Sequence, residues 1–330
     1  MRGLRYGLGL FIAAAAAVYA FNASWLAPKP DRVVQIIAHR GVAQTYSREG
    51  LTNETCTATR IFPPTHEYLE NTIRSMRAAF DYGADVVEID IHATTDGEFA
   101  VFHDWTVDCR TEGSGRTIDK SMAELKALDI GYGYTADGGE TFPFRGKGVG
   151  LVPTLGEVLD AFPEERFFIN AKSNNPRDAE KLYEYLSERN DLDRDGLFIV
   201  TGPKWLARWR EIGGPIPASS RAEGKACAKG YLARGWMGHV PDACSEMGIG
   251  VPLDLRHLYW GWPSRLENRF EETPFGVTVT GRLKSIGGGS SGIDTAEDLA
   301  LLPDSFSGTI MTDRIDVIGP LVQGSETAKR

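Results

Sequence analysis

Short apolar runs alternate with amphipathic segments along most of this chain. Apolar runs of four to eight residues are typical of buried strands, whereas apolar positions three and four residues apart are typical of helices that bury one face. From residue 33 onward the pattern predicts eight strands, and a helix follows each strand except the last. The predicted strands are 33–38, 85–91, 167–171, 197–201, 216–220, 249–255, 275–280 and 308–312.

Capping signals mark the starts of two of the predicted helices. Ser121 with Glu124 and Thr154 with Glu157 form capping-box patterns, in which a hydroxyl and a carboxylate satisfy free backbone N–H groups. Helical spacing predicts the remaining helices at 71–80, 177–189, 203–212, 224–236, 264–272 and 295–302.

The order of these elements predicts the fold class. Alternating strands and helices imply a mainly parallel α/β sheet, and eight such units in about 290 residues imply a closed TIM (β/α)8 barrel over 31–330. The open doubly wound alternative is weakened because no GxGxxG motif follows the first strand. A turn at 95–97 and the apolar run 99–102 predict a hairpin-like extension of the second strand.

The segment 42–69 is much longer than a usual connection between a strand and a helix. We therefore expect a long insertion after the first strand. Since long loops of this kind are commonly functional, the insertion is predicted to form part of the wall of the site.

Residues 1–30 form a segment of their own. Arg2 and Arg5 precede an uncharged, alanine-rich apolar run over 7–21, which is typical of a signal peptide or an N-terminal membrane anchor. Trp25 extends the apolar stretch toward spanning length, which slightly favours an uncleaved anchor. A buried core helix is the competing interpretation. The barrel is accordingly predicted to be exported and extracytoplasmic, as in a periplasm, with the membrane as a partner if the segment is uncleaved.

Four cysteines agree with an oxidising compartment, because an even number permits complete pairing. The connectivity cannot be read from sequence. Cys56 and Cys109 are both expected on the rim of the site, which favours pairing them with each other and Cys227 with Cys244. Structural zinc is disfavoured because no CxxC spacing occurs.

Composition and charge limit the possible partners. The 330 residues include 42% hydrophobic residues, which allows one large core or two modest ones and argues against disorder. A formal net charge of -9 makes nucleic acid an improbable partner, since binding to its backbone needs basic patches. No obligate protein partner is predicted.

Polar residues fall where the predicted strands end, and the carboxyl ends of barrel strands are where such folds assemble active sites. They are His39 and Arg40 at the first strand, Glu88 and Asp90 at the second, Asn170 and Lys172 at the third, and Asp313 at the eighth.

The residue types predict metal-assisted chemistry on a phosphate. Glu88 and Asp90 are two apart on a strand, so both face the same way and could hold one hard cation. A solvated face is the common alternative for such a pair, but apolar flanking residues indicate a buried strand, where unpaired carboxylates are costly. His39 and His103 titrate near neutral pH and could act as general base and general acid.

Cationic and helix-terminal groups supply candidate phosphate contacts. Arg40 and Lys172 bring positive charge, the arginine with a planar fork of donors. Glu70 and Asn71 open a predicted helix, whose N-terminal N–H groups attract anions. Glu70 could alternatively be only a helix-capping acid.

Taken in order, these motifs resemble the glycerophosphodiester phosphodiesterases, within the superfamily of phospholipase-C-like phosphodiesterase barrels. The resemblance runs from about His39 to Asp313 and is most specific in 39–172. It rests on HRG at 39–41, ENT at 70–72, EID at 88–90, TDG at 95–97 and VFHD at 101–104.

The resemblance implies a reaction and a set of roles. It implies a barrel that cleaves glycerophosphodiesters to glycerol 3-phosphate and an alcohol, with one divalent cation, Ca²⁺ or Mg²⁺, and a cyclic phosphate intermediate. It further implies that His39 and His103 are the acid/base pair and that Arg40 contacts phosphate. The metal side of the site would be built by Glu70, Glu88 and Asp90.

One residue departs from the resembled pattern. Family members commonly carry a glutamate two positions before the lysine of the third strand, whereas this chain carries Asn170 before Lys172. An amide oxygen suits a hard cation but brings no charge, so we expect Asn170 to be a weaker fourth ligand.

Two further functions stay open on sequence grounds. Lysophospholipids are an alternative substrate class, because relatives of the same superfamily use two histidines in the same way. A non-catalytic, envelope-anchored module that binds a phosphate ligand is the alternative from another class. It is suggested only by Asn170.

Overall fold

The computed structural model describes residues 2–30, 32–52, 55–189, 194, 196–283 and 292–329. In this part of the chain, nine strands form one sheet. The strands are β1 (Gln35–His39), β2 (Val86–Ala93), β3 (Phe99–Val101), β4 (Phe167–Ala171), β5 (Leu197–Thr201), β6 (Ala218–Ser220), β7 (Ile249–Pro252), β8 (Val277–Thr280) and β9 (Thr309–Thr312).

The helices lie between these strands and at the two ends of the chain. They are α1 (Arg2–Asn22), α2 (Ile73–Asp81), α3 (Met122–Ala127), α4 (Leu155–Ala161), α5 (Pro176–Ser187), α6 (Pro203–Glu211), α7 (Arg221–Arg234), α8 (Ser264–Arg269), α9 (Ala296–Leu299) and α10 (Ile315–Lys329). Both predicted capping boxes are present, at the starts of α3 and α4.

The sheet has the strand order of a (β/α)8 barrel. Its order is β6-β5-β4-β2-β1-β9-β8-β7, and all neighbours along this path are parallel. The predicted extension β3 pairs antiparallel with β2, with Ile91 opposite Val101. Since β9 returns to lie beside β1, the sheet curls around on itself.

The predicted closed ring is not completed by backbone hydrogen bonds. Among the described residues, no ladder joins β6 to β7. β6 has only three residues, and Pro252 in β7 has no N–H to donate. The parallel strands that the structure describes therefore form a curled sheet whose two end strands, β6 and β7, are not paired with each other.

The helix after the last strand was missed by the sequence analysis. Helix α10 follows β9, whereas we predicted that the eighth strand ends the repeat without a helix. It contains Gly319, Pro320 and Gly324, and such residues normally argue against a helix interior. Gly319 lies against the backbone of Tyr82, where a Cβ would come within 1.9 Å of the carbonyl oxygen. Close packing against the rest of the protein thus outweighs low helix propensity here.

The curled sheet has two apolar sides, as a sheet covered by helices requires. Its outer side packs against the helices in the largest core cluster. Its inner side holds a smaller cluster made of strand residues and of turns that precede strands. The inner cluster consists of Ile37, Val86, Phe198 and Phe275, with Phe168, Met247 and Met311 packed against it.

A separate core joins the segment 42–69 to the region that follows β3. It packs Ile61 and Leu69 against Phe102 and Tyr134, among other residues. The disulfide between Cys56 and Cys109 crosses the same contact. The long segment is therefore anchored beside the strands that carry the predicted site.

Both expected disulfide pairings are confirmed. The S–S distance is 2.06 Å between Cys56 and Cys109 and 2.12 Å between Cys227 and Cys244. The second disulfide connects α7 to the turn before β7, on the helical side of the sheet.

The N-terminal segment 1–30 was predicted to be a signal peptide or a membrane anchor. Helix α1 occupies most of it, and the end of that helix contacts the rest of the protein, because Asn22 Nδ2 donates to the carbonyl oxygen of Trp236 at 2.9 Å. Across the ranges that the structure describes, no helix combines the length and the apolar character needed to cross a membrane.

Candidate active site

The alternation of side chains along the strands explains why the predicted residues meet. Residues two apart on a strand face the same side. Ile37, Val86 and Met311 face the inside of the curled sheet, so the residues two positions further along each strand continue that inner line at its carboxyl end. Those residues are His39, Glu88 and Asp313. The inner side is thus apolar in its lower part and polar where the strands end.

The turn after β1 is held in an unusual backbone conformation. Arg40 has φ of 63°, a left-handed value that is uncommon for residues other than glycine. The following Gly41 has φ of 75°, and a Cβ there would lie 2.7 Å from Ser75 Oγ, so this position requires glycine. The backbone N–H of Arg40 donates to the carbonyl oxygen of Glu88 at 2.9 Å. These constraints fix the direction in which the Arg40 side chain leaves β1.

His39 is oriented by Asp313. Its Nδ1 lies 2.5 Å from Asp313 Oδ1, and Arg48 from the segment 42–69 pairs with the other oxygen of the same carboxylate. Burial and the Arg40 charge oppose protonation of His39, but Asp313 and Glu88 outweigh them and raise its pKa above the ordinary value. His39 Nε2, on the other side of the ring, lies 3.8 Å from Glu88 Oε2.

His103, which follows the end of β3, has the same arrangement. Its Nδ1 lies 2.6 Å from Asp104 Oδ1, and Arg110 Nε donates to Asp104 Oδ2 at 2.8 Å. Burial and the nearby Arg40 charge lower the pKa of His103, despite the opposing effects of Asp90 and Asp104. In both histidines, therefore, the carboxylate holds Nδ1 and leaves Nε2 for another partner.

Glu88 and Asp90 both lie in the buried strand β2 but have very different surroundings. Burial and the neighbouring Asp90 raise the pKa of Glu88 to about 7, and its Oε2 has no hydrogen-bond partner. Burial would also raise the pKa of Asp90, but Lys172, His103 and Arg40 hold it well below the ordinary value.

The Arg40 guanidinium contacts two carboxylates, those of Glu70 and Asp90. Its Nη1 donates to Glu70 Oε1 at 3.0 Å, and its Nε lies 3.2 Å from Asp90 Oδ2. The Lys172 Nζ lies 3.5 Å from Asp90 Oδ1. The two cations predicted to contact phosphate thus sit on either side of the same buried carboxylate.

The two predicted asparagines both contact Asp90. Asn71 Nδ2 donates to Asp90 Oδ2 at 3.2 Å, and its Oδ1 accepts from the Asp90 backbone N–H at 3.2 Å. Asn71 has φ of 59°, which asparagine tolerates better than most residues. Asn170 Nδ2 donates to Asp90 Oδ1 at 2.9 Å. The phosphate role of Asn71 and the ligand role of Asn170 stay predictions.

Of the predicted carboxylate ligands, Glu88 suits a hard cation and Glu70 does not. Glu88 offers a buried carboxylate oxygen without any hydrogen-bond donor, which a divalent cation would satisfy, whereas both oxygens of the neighbouring Asp90 already accept from Asn71 and Asn170. Glu70 is instead held by Arg40 and by Arg110, whose Nη2 lies 3.2 Å from Glu70 Oε1. Within the described ranges, no group of three or more His, Cys, Asp or Glu side chains is arranged to hold a metal.

A cavity of about 360 Å³ opens beside His39. On one side it is lined by the site residues themselves, and on the other by the segment 42–69, by Asp294 and Thr295 before α9, and by Arg314 after β9. The residues from the segment are Ala43, Gln44, Thr45, Tyr46, Arg48 and Phe62. The predicted position of this segment in the wall of the site agrees with that lining.

Several residues of the site had no role in the sequence analysis. Asp313 was noted only as a polar residue at a strand end, and Asp104 only as part of a motif. Arg48 and Arg110 were not noted at all. Asp313 is 274 residues from His39, so no local spacing in the sequence could have revealed that pairing, whereas Asp104 is adjacent to His103.

Comparison with known proteins identifies a family. The model of the glycerophosphoryl diester phosphodiesterase family matches residues 39–205, about half of the chain. A glycerophosphodiester phosphodiesterase of Caldanaerobacter subterraneus subsp. tengcongensis is 35% identical over 130 residues, which are 38% of this chain and 50% of that protein. One of Bacillus subtilis is 37% identical over 131 residues, covering 38% of this chain and 43% of that protein. The chain thus spans about half the length of the curated relatives it matches.

Solved structures share the fold over more of the chain. The glycerophosphoryl diester phosphodiesterase domain of a Mycobacterium tuberculosis protein covers 89% of this chain and 99% of its own, with a TM-score of 0.57 and 16% identity. A phosphodiesterase of Oleispira antarctica, in complex with the product sn-glycerol-3-phosphate, covers 89% and 97%, with a TM-score of 0.54 and 17% identity. Because the family model matches about half of the sequence, this chain belongs to the glycerophosphoryl diester phosphodiesterase family.

Proposed function

We propose that this protein hydrolyses glycerophosphodiesters to glycerol 3-phosphate and an alcohol, with His39 and His103 as the acid/base pair. One imidazole removes the proton of the attacking hydroxyl, and the other gives a proton to the leaving oxygen. We further propose that a hydroxyl of the substrate's glycerol attacks phosphorus first, so that a cyclic phosphate forms and is then opened by water.

The observation that carries this proposal is the pair of histidines held in the same way at one end of the sheet. Each imidazole has its Nδ1 against a carboxylate, and Arg40 lies close enough to influence the pKa of both. A carboxylate at Nδ1 fixes the ring orientation and leaves Nε2 for proton transfer, as acid/base catalysis requires. A protein that only bound phosphate would gain little from this arrangement.

The proposal includes one divalent cation, Ca²⁺ or Mg²⁺. Glu88 and Asp90 would hold it, with Glu70 and Asn170 as the further predicted ligands. When bound, such a cation polarises a phosphoryl oxygen and neutralises charge that develops during displacement. Arg40 and Lys172 would bind the remaining phosphate oxygens and orient the diester between the two imidazoles.

The direct test uses the purified full chain with glycerophosphocholine and glycerophosphoethanolamine. Release of glycerol 3-phosphate is measured with Ca²⁺, with Mg²⁺ and with a chelator. Release that depends on a cation supports the proposal and ranks the two ions. The absence of release under all three conditions contradicts it, and binding of glycerol 3-phosphate without turnover would instead support the non-catalytic alternative.

Histidine variants identify the groups that carry the reaction. His39→Ala and His103→Ala should each lower kcat by about 10³-fold or more, since each removes one of the two proton-transfer groups. His239→Ala and His257→Ala are matched controls, because both side chains are exposed and lie outside the site. Equal loss of activity in a control variant would contradict the assignment.

A lysophospholipid is the second candidate substrate. Trp105, 55% exposed and next in sequence to the His103 and Asp104 pair, and Phe62, 52% exposed in the cavity wall, offer apolar surface near the mouth of the site. Lysophosphatidylcholine assayed beside glycerophosphocholine distinguishes the two classes. A higher kcat/KM for the lipid would favour this candidate, and a higher value for the deacylated diester would exclude it as the main substrate.

We also propose that the protein acts outside the cytoplasm. The two disulfides support this location, since structural disulfides persist mainly in oxidising compartments. Cell fractionation after expression of the full chain tests it. A protein that is recovered active in the cytoplasm with four free thiols would contradict the proposal.

A further inference from the structure

Arg110 is a buried arginine that no step of the proposed reaction uses. It is only 2% exposed, and all three of its guanidinium nitrogens have partners. Nε donates to Asp104 Oδ2 at 2.8 Å, Nη1 donates to the hydroxyl of Tyr134, and Nη2 donates to Thr57 Oγ1 at 3.0 Å. Nη2 also lies 3.2 Å from Glu70 Oε1. The guanidinium thus connects two carboxylates that belong to different parts of the site.

Each of these carboxylates has a second partner in the proposed machinery. Asp104 uses its other oxygen to hold Nδ1 of His103 at 2.6 Å. Glu70 accepts from Nη1 of Arg40 at 3.0 Å through the same oxygen that faces Arg110. Two short chains of contacts therefore start at Arg110, and they end at a proton-transfer group and at a phosphate-binding group.

The electrostatics support the same connection. Burial would raise the pKa of Asp104. The charge of Arg110 and the hydrogen bonds from His103 and Arg110 nevertheless keep this pKa below the ordinary value. Asp104 therefore stays ionised, which lets it accept from Nδ1 of His103.

The frame around Arg110 is rigid on both sides. Cys109 precedes it, Thr57 follows Cys56, and the disulfide joins these two cysteines. Gly133 packs closely against the backbone at Cys109. A Cβ on residue 133 would lie 2.0 Å from the carbonyl oxygen of Cys109. Arg110 is consequently held by covalent and packing constraints that do not depend on the substrate.

We propose that Arg110 is a positioning residue, which fixes His103 through Asp104 and Arg40 through Glu70. This inference rests on the phosphodiesterase function proposed above. A planar guanidinium with a fixed fork of donors can meet two carboxylates at set angles, whereas the single ammonium group of lysine cannot. Arg110 reaches the reaction only through these two acids.

The first test replaces Arg110 and measures kcat and KM with glycerophosphocholine. Arg110→Met should lower kcat by about 10- to 100-fold, the range found when supporting contacts of functional groups are removed. The matched control is Arg116→Met, because the Arg116 side chain is 61% exposed and lies 3.8 Å from Asp119 on the surface. Unchanged kcat in Arg110→Met, with the fold intact by circular dichroism, would overturn the proposal.

Should Arg110→Met not fold, Arg110→Lys carries the same test. It keeps a positive charge but cannot span Asp104 and Glu70, so a kcat about 10-fold below the wild-type value is expected. A wild-type kcat in the lysine variant would overturn the proposal, since a charge alone would then suffice.

A double-mutant cycle separates positioning from a general loss of stability. If Arg110 acts through Asp104, then Arg110→Lys should lower kcat much less in an Asp104→Asn background than in the wild type. Independent losses, which multiply in the double variant, would count against the proposed route. The same cycle with Glu70→Gln tests the second chain of contacts.

A nuclear magnetic resonance measurement tests the positioning without any substrate. The Nδ1 proton of His103 should give a protected ¹H–¹⁵N signal in the wild type and in Arg116→Met, and lose that protection in Arg110→Lys. A wild-type protein that hydrolyses no diester would contradict the proposed function, while this signal would still test the positioning. An unchanged signal in Arg110→Lys would contradict the positioning alone.

Discussion

At the scale of single residues, the two site histidines share one pattern: an aspartate on Nδ1 and an arginine on the far side of that aspartate. The first set is His39, Asp313 and Arg48, and the second is His103, Asp104 and Arg110. A carboxylate that is itself held by an arginine has little freedom to rotate. Each imidazole is therefore oriented before the substrate arrives, which lowers the cost of reaching the reactive geometry.

Replacing Asp313 by asparagine tests this pattern at His39. Asp313→Asn keeps the size of the side chain but removes its charge, so His39 loses both the group that fixes its tautomer and the charge that favours its protonated form. We expect kcat to fall by at least about 10²-fold, with a smaller change in KM. Steady-state kinetics measure this effect. Exposed Asp304→Asn is the control, and equal kcat values for the two variants would contradict the role of Asp313.

A second prediction at this scale concerns Asp294, whose carboxylate accepts from the backbone N–H of Asp313 at 2.7 Å. Burial and the nearby Asp313 charge raise the pKa of Asp294 to about 6. In the unfolded chain this acid loses its proton near its ordinary pKa. Between about pH 4 and pH 6 the folded state therefore binds more protons, and its stability falls as pH rises.

Asp294→Asn removes this pH-dependent loss of stability, because the amide does not titrate, and keeps an acceptor oxygen for the Asp313 N–H. From pH 4 to pH 7, the stability of the wild type should fall relative to that of the variant by roughly 1–3 kcal/mol. Urea unfolding at several pH values measures the difference. A constant difference between the two proteins over this range would show that Asp294 does not titrate as described.

The sequence revealed the residue types of the site but not their pairing. Glu88, Asp90 and Lys172 were predicted from strand ends and motifs, and they do lie together. Their neighbours in space could not be predicted, because Asp313 is 274 residues from His39 and comes beside it only when β9 returns to β1. Pairings that depend on closure of a curled sheet leave no local signal in a sequence.

At the scale of elements, hydrophobic periodicity correctly predicted the secondary structure of the buried strands. The strands at 167–171 and 197–201 match β4 and β5 residue for residue, because continuous apolar runs leave little freedom in a covered parallel sheet. Helix α10 was missed because its glycines and Pro320 hide a helix that packing stabilises. Local propensity fails where tertiary contacts supply the energy.

The disulfides give a prediction at this scale. Cys56 and Cys109 are 53 residues apart, and Cys227 and Cys244 are 17 apart. Since loop entropy grows with loop length, replacing both cysteines of a pair by serine should lower the free energy of unfolding by about 4 kcal/mol for the first pair and about 3 kcal/mol for the second. Denaturant unfolding measures both values.

The two pairs should differ far more in their effect on activity. The first disulfide ties the segment 42–69 to the chain beside Arg110, whereas the second lies on the helical side of the sheet. Serine replacement of Cys56 and Cys109 should therefore lower kcat/KM about 10-fold under conditions in which both variants are folded. The Cys227 and Cys244 variant is the matched control, and an equal loss in both would mean that stability alone matters.

At the scale of the whole molecule, the inside of the curled sheet has an apolar part and a charged part. Its lower part is filled by aromatic and aliphatic side chains, and the end that carries the site concentrates charged groups out of water. Burying Glu88 next to Asp90 costs free energy, since Oε2 of Glu88 has no donor. This cost should be relieved when a cation binds both carboxylates, so cation binding should stabilise the entire fold.

Calorimetry without any substrate measures how much cation binding stabilises the fold. Ca²⁺ or Mg²⁺ at about 100 times its Kd should raise the free energy of unfolding of the full chain by about 2.7 kcal/mol. Glu88→Gln should abolish the increase, because the amide brings no charge to the cation. Asn170→Glu should enlarge it at equal cation concentration, since an additional charged oxygen ligand tightens binding. Glu297→Gln, an exposed site far along the sequence, should leave it unchanged. An equal increase in all three variants would place the cation elsewhere on the protein and leave Glu88 and Asp90 without it.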